Sequence, residues 1–203
     1  MKFSIIISIT LIYIIFASST CQKSGFGCTE TTYNFEAIAK VVNPKDSINI
    51  GDTIWLEISA SVLQTDLLSG NPITFKNAAN LGTAIGFGEL VNPNSPVFAE
   101  NDFFYVLQKG ENVNNNRAGI KEYKFTENGN MYEFRLGIIP KKKGYFNFGL
   151  SDASNVFRYD DKCTKAFYRI YFKETPLHLY LITRVFGTVP DSSFSSPYCF
   201  KVK

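Results

Sequence analysis

One histidine, one tryptophan and two methionines in 203 residues leave little of the material from which common active sites are built. A hydrolytic triad needs a histidine to take the nucleophile's proton. Only His178 is present, between Leu177 and Leu179, and a lone histidine in an apolar stretch reads as a structural residue. Zinc needs three or four converging ligands, yet the chain has neither H-E-x-x-H nor paired C-x-x-C, so no metal site is expected. The calcium-loop pattern is absent as well, and Gly86-Phe87-Gly88 lacks the third glycine and the strand-to-helix setting of a dinucleotide fingerprint. No cofactor is expected. Charge is also scarce: charged residues make up 19% and the formal net charge is +3, too small a surplus to hold a polyanion by bulk attraction, so nucleic acid is excluded as a partner.

Long apolar runs are missing except at the start. Lys2 is followed by a twelve-residue apolar run over residues 5–16, interrupted by Ser8 and Thr10, and then by the small residues Ala17, Ser18, Ser19 and Thr20. That run falls short of the roughly 20 residues needed to cross a bilayer, and the three-part pattern is that of a secretory signal over residues 1–20. Cys21 comes directly after the small residues, an arrangement that resembles the lipobox of bacterial lipoproteins, in which the cysteine is acylated. Ser18 and Thr20 stand where the strongest lipoboxes carry Leu and Gly or Ala. Cleavage after Ala17-Ser18-Ser19 is the competing reading and would give a soluble secreted chain. Residues 21–30, short, polar and glycine-bearing, read as a lipid-anchor tether, and residues 31–203 as one folded domain.

Acylation of Cys21 would leave Cys28, Cys163 and Cys199, of which only two can pair. An exported domain sits in a compartment where disulfides persist. The expected bridge joins Cys163 to Cys199, with Cys28 to Cys163 as the alternative.

What the sequence has in quantity is aromatics, 19 Phe and 11 Tyr, with many β-branched residues, which favours strands. Residues 41–62 read as a strand, a turn at Gly51-Asp52 and a second strand, in which Ile54, Leu56, Ile58, Ala60 and Val62 share the core face and Trp55 the other. Tyr33, Phe35, Ala37, Ala39 and Val41 alternate in the same way. Residues 63–72 read as a loop whose Leu67 and Leu68 tuck inward, residues 102–108 as a strand apolar on both sides, and residues 111–119 as an exposed crossing. Asn128-Gly129 marks a hairpin between residues 120–125 and 132–139, with residues 145–150 returning as a third adjacent strand. Residues 151–165 read as loop, and residues 176–186 as strand or short helix. The sum is an all-β chain, a single immunoglobulin-like β-sandwich of roughly nine strands with one short helix near the C-terminus.

The stretches PKDSINIGDTIWL and EFRLGIIPKKKGYFNF, with Cys28 early, Cys163 late and a terminal YCFKV, together resemble uncharacterised secreted lipoproteins of Bacteroidota bacteria with an immunoglobulin-like sandwich. The resemblance implies a cell-envelope address, an outer membrane lipoprotein facing the periplasm, and no known activity.

Few residues remain as candidates for function. The exposed face of a strand is where Trp55 could stack on a sugar ring or anchor a protein, and Lys141-Lys142-Lys143 could meet anionic headgroups near a membrane. Together they make the candidate binding surface. Asp152, Asp160 and Asp161 are the carboxylates a glycoside hydrolase would use. The leading expectation is a non-catalytic, envelope-tethered binding or structural module, attached to the membrane by its lipid and facing an envelope protein or glycan. A secreted carbohydrate-active hydrolase is the rival.

Overall fold

The computed structural model describes residues 27–91, 97–187 and 196–203. The expected signal segment, Cys21, most of the expected tether, the breaker at residues 92–96 and most of the serine-rich loop at 187–197 lie outside these residues. Within Thr31–Lys203, a compact unit of its own, the strands in chain order begin with β1 (Thr31–Val42), β2 (Ser47–Ile48), β3 (Ile54–Ser61), β4 (Leu63–Thr65), β5 (Pro72–Thr74) and β6 (Ala78–Ala79). There follow β7 (Gly82–Glu89), β8 (Val97–Phe98), β9 (Phe103–Lys109), β10 (Glu111–Val113), β11 (Ile120–Lys124) and β12 (Thr126–Asn128). The last are β13 (Met131–Pro140), β14 (Gly144–Leu150), β15 (Ala153–Arg158), β16 (Thr164–Phe172), the helix α1 (Tyr180–Phe186) and β17 (Tyr198–Val202). Two- and three-residue segments account for most of the excess over the nine strands expected.

Two large sheets form a sandwich. The first runs β12-β13-β3-β1-β16-β15-β6, with β9 also on β13, and the second runs β10-β11-β7-β14-β17-β2, with β8 on β7. Period-2 alternation supplies the core: β3 buries every second residue from Ile54 to Ala60, and β1 does so from Phe35 to Val41. Facing them from the second sheet are Phe87, Phe146, Phe148, Tyr198 and Phe200. The phenylalanine-rich interior follows, with edge-to-face pairs such as Phe103–Phe146 at 5.2 Å. α1 ends at Gly187 in the left-handed conformation, whose N–H donates to the Thr183 carbonyl, and it buries Leu181 and Ile182 beside Cys199.

Several local expectations are corrected. β1 and β3 do pair antiparallel, Val42 opposite Trp55, but no tight hairpin joins them. Asn43 takes a positive φ of 51°, the chain leaves for the second sheet, β2 pairs there with β17, and the turn at Gly51-Asp52 brings it back. β13 and β14 are not neighbours: the three lysines between them carry the chain from one sheet to the other, where β14 pairs with β7 and β17. The stretch read as a loop after Ser151 contains β15, and the crossing at 111–119 begins with β10. β9 is not buried on both sides. Phe103 is inside, whereas Phe104 and Val106, on the outer face of the first sheet beside Ile139 and Gly137, are exposed. Leu67 and Leu68 do not tuck in; both are exposed.

The cysteines follow the parallel register of β1 and β16. Thr31 lies opposite Thr164, and the Thr31 N–H donates to the Cys163 carbonyl. The alternative pairing is the one found: Cys28 and Cys163 are disulfide-bonded and Cys199 is a free thiol. The expected Cys163–Cys199 bridge is excluded by position, since Cys199 sits on β17 in the second sheet opposite Asn147 with its side chain packed among Leu90, Leu181 and Ile182. Burial pushes that thiol up to about 12, which keeps it inert.

Candidate functional site around Trp55

Trp55 lies on the outer face of the first sheet because Ile54 and Leu56 on either side are committed to the core. Its cross-strand neighbours are Val42 on β1 and Gly137 on β13, and Gly137 in turn faces Val106 on β9. Val106, Gly137, Trp55 and Val42 therefore form one rung across four strands. Gly137 is the reason the ring can lie down: a Cβ there would stand 3.0 Å from the indole and from the Thr53 methyl. The indole covers the glycine, as a cross-strand aromatic does when it shields bare backbone.

Charge organises the next rung. The Arg135 guanidinium sits 5.0 Å from the Trp55 ring centroid, and Glu57 joins it to Lys40 with contacts of 3.4 Å to Arg135 and 3.1 Å to Lys40. These groups are partly solvated, so each pair adds little stability; their effect is to fix Arg135 against the indole. On one side of Trp55 lies a cleft of about 250 Å³. Trp55 and Val42 are its apolar walls, Asn43, Lys45, Asp52 and Thr53 add polar groups, and Tyr198 closes it from the second sheet. The Tyr198 hydroxyl accepts from the Lys45 N–H at 2.9 Å and donates to the Lys45 carbonyl at 2.8 Å. Burial pushes the phenol up to about 12, so it remains a neutral clamp on the crossover between β1 and β2.

On the other side of Trp55, beyond Gly137, stand Val106 and Phe104, the latter 62% exposed. Phe104 faces Ile139, and the Lys141 ammonium lies 4.9 Å from its ring centroid. Two of the sequence-derived candidates, Trp55 and Lys141, thus share a face through Phe104. The other lysines diverge as the chain turns between sheets. Lys142 is held by Asp102 at 2.9 Å and Glu89 at 3.0 Å, which raises its pKa, the Asp102 hydrogen bond first. Lys143 lines a shallow depression with Lys201 and Lys203. The run is not a single basic patch.

The carboxylates considered for hydrolysis all have structural partners. Asp152 accepts the Ile170 N–H at 2.8 Å, Asp160 takes both Arg158 Nε and Nη2, and Asp161 caps the Cys163 N–H at 3.0 Å. His178 contacts the Cys199 carbonyl at 3.2 Å through Nδ1 and packs edge-on against Tyr198. No group of three or more His, Cys, Asp or Glu able to hold a metal occurs among the described residues.

Sequence reasoning missed Phe104, Val106 and Gly137. The alternation of β13 puts Gly137 between Arg135 and Ile139 on the outer face, a readable signal; nothing local reveals that β9 is an edge strand. No protein-family model, curated protein or solved structure matches this chain.

Proposed function

We propose that this chain is an exported β-sandwich of immunoglobulin-like type, tethered to the outer membrane through acylated Cys21 and facing the periplasm, which binds glycan on its Trp55 face without catalysing a reaction. The rung Val106–Gly137–Trp55–Val42 carries the reading. It sets an indole between a polar cleft the size of one sugar unit and an exposed phenylalanine. Aromatic faces stack on the apolar faces of sugar rings, and the cleft's amide, ammonium, carboxylate and hydroxyl groups suit their hydroxyls. Two strand spacings separate Trp55 from Val106, about 10 Å, so an extended chain could occupy both sides of the indole. Hydrolysis by Asp152, Asp160 and Asp161 draws less support, since each carboxylate is tied to backbone or to Arg158.

The test is co-sedimentation with purified peptidoglycan sacculi. Wild-type chain is expected in the pellet, Trp55→Ala and Phe104→Ser in the supernatant, and a Lys143→Ser control in the pellet. Equal sedimentation of all four, or of none, contradicts the site. The intact mass of the native protein tests the tether: the chain from Cys21 plus acyl groups supports it, and an unacylated mass removes it.

A further inference from the structure

The hairpin of β4 and β5 ends in an apolar tip that nothing in the described residues covers. Leu63, Leu67 and Leu68 are 57%, 53% and 81% exposed. Over residues 63–74 the only charged side chain is Asp66, which is buried with its carboxylate held by the Asn34 and Ser69 N–H groups. The base is locked, with the Phe75 N–H donating to the Val62 carbonyl at 2.7 Å and the Phe75 ring packed against Phe35 and Tyr168. The leucines are held out on a rigid support.

The backbone of the tip has already found its partners. The Asp66 N–H donates to the Asn71 carbonyl, Leu67 to the Asn34 carbonyl and Gly70 to the Asp66 carbonyl, at 2.8–2.9 Å. The Ser69 N–H donates to Asp66 Oδ2 at 2.8 Å and the Asn71 N–H to Ser69 Oγ at 3.3 Å. A segment entering an apolar phase must satisfy its amides internally, whereas a protein-docking loop gains from donors left to pair with its partner. At the tip the backbone N–H groups of Asp66, Leu67, Ser69, Gly70 and Asn71 are paired, and the leucines face outward.

Its position agrees. The Leu67–Asn34 bond places the tip near the start of β1, and the parallel register puts the turn before β16 at the same end of the sheet. That turn carries Tyr159, 76% exposed, and exposed Lys162, residue types that settle at the membrane–water boundary, with Asp160 and Asp161 between them bonded to Arg158 and to Thr164 and the Cys163 N–H. The chain preceding Thr31, which carries the Cys21 anchor of the function proposed above, joins the domain at this end, and in this respect the inference rests on that reading.

We propose that the Leu67–Leu68 tip enters the acyl boundary of a lipid bilayer and holds this end of the sandwich against the membrane. The proposal stands apart from the glycan site, which lies on the outer sheet face. The experiment uses the full chain with Trp55→Phe and Leu68→Trp, so that the sole indole is at the tip, checked for native circular dichroism and mixed with phosphatidylcholine vesicles bearing brominated acyl chains. The tip indole is expected to shift blue and to lose about half its emission or more relative to unbrominated vesicles, as insertion to the acyl boundary requires. Adding Leu67→Asp is expected to abolish the quenching. In an otherwise wild-type chain, Leu67→Ser with Leu68→Ser is expected to reduce vesicle flotation, while Trp55 of the unaltered chain stays unquenched. A tip indole that brominated lipid leaves unquenched overturns the proposal, whether or not the chain floats by its N-terminal segment. So does protection from iodide that needs envelope protein rather than lipid, which would assign the tip to a protein partner.

Discussion

The indole of Trp55 lies against Gly137 on the neighbouring strand, where a single added methyl would stand 3.0 Å from the ring. Gly137→Ala is therefore expected to lift the ring off the sheet and to destabilise the fold by about 1–3 kcal/mol through overpacking. Denaturant unfolding gives the stability change. The emission of the single tryptophan should move red as the indole gains contact with water.

Tyr198 ties the crossover between β1 and β2 to β17 by clamping both backbone groups of Lys45. Tyr198→Phe keeps the ring and removes the clamp, so thermal unfolding should report a loss of about 1–2 kcal/mol. The cleft beside Trp55 should loosen at the same time, seen as faster hydrogen exchange at the Lys45 amide.

Asp66 has its pKa lowered by the Asn34 N–H first and then by Ser69. A depressed carboxylate contributes stability that is present above its unfolded value, near 3.8, and is lost as pH falls through the lower folded value. Between pH 7 and pH 5 the β4–β5 hairpin should be unchanged. Below pH 4 the Asn34 and Ser69 amides should exchange faster, an effect that Asp66→Asn reproduces at neutral pH and hydrogen exchange with mass spectrometry measures.

Cysteine chemistry should divide the chain cleanly. Cys199 is fully buried with its pKa raised, so iodoacetamide should leave it unmodified in the native protein and label it once denatured. Cys28 and Cys163 should be labelled only after reduction. Rapid native labelling of Cys199 would contradict its packing beneath α1.

The strands with strict alternation were legible. β1 and β3 follow from period 2, and Asn128-Gly129 does mark a turn, with Gly129 at a positive φ of 61°; the strand it joins to β13 is the three-residue β12 and not residues 120–125, since β11 pairs with β7 and β10 in the second sheet. Which sheet each strand joins was not legible, because local pattern is silent about partners: β2 and β14 cross to the second sheet though their sequences read as continuations of the first. The same blindness displaced the disulfide. The bridge depends on the parallel pairing of β1 with β16, a contact between opposite ends of the chain that turn chemistry cannot foretell. For the site, Trp55 was legible as an outward residue, and Lys141 was found without its reason, which is Phe104. The exposure of Phe104 follows from its place on the outer face of the first sheet, and that of Leu68 from hydrogen bonds that hold the tip rigid; neither is written in hydrophobicity, which taken alone would bury both.

Because Trp55 is the only tryptophan in the unaltered chain, its fluorescence reports directly on the proposed binding face. The decisive measurement is a titration with soluble peptidoglycan fragments, repeated with Phe104→Ser and with Gly137→Ala. The account predicts a saturable blue shift, as a sugar displaces water from the indole, weakened about tenfold or more by either substitution as a stacking contact worth about 1.4 kcal/mol is lost. An unchanged spectrum at saturating glycan, in a chain that sacculi nevertheless retain, would place binding elsewhere and contradict the Trp55 face as the functional surface.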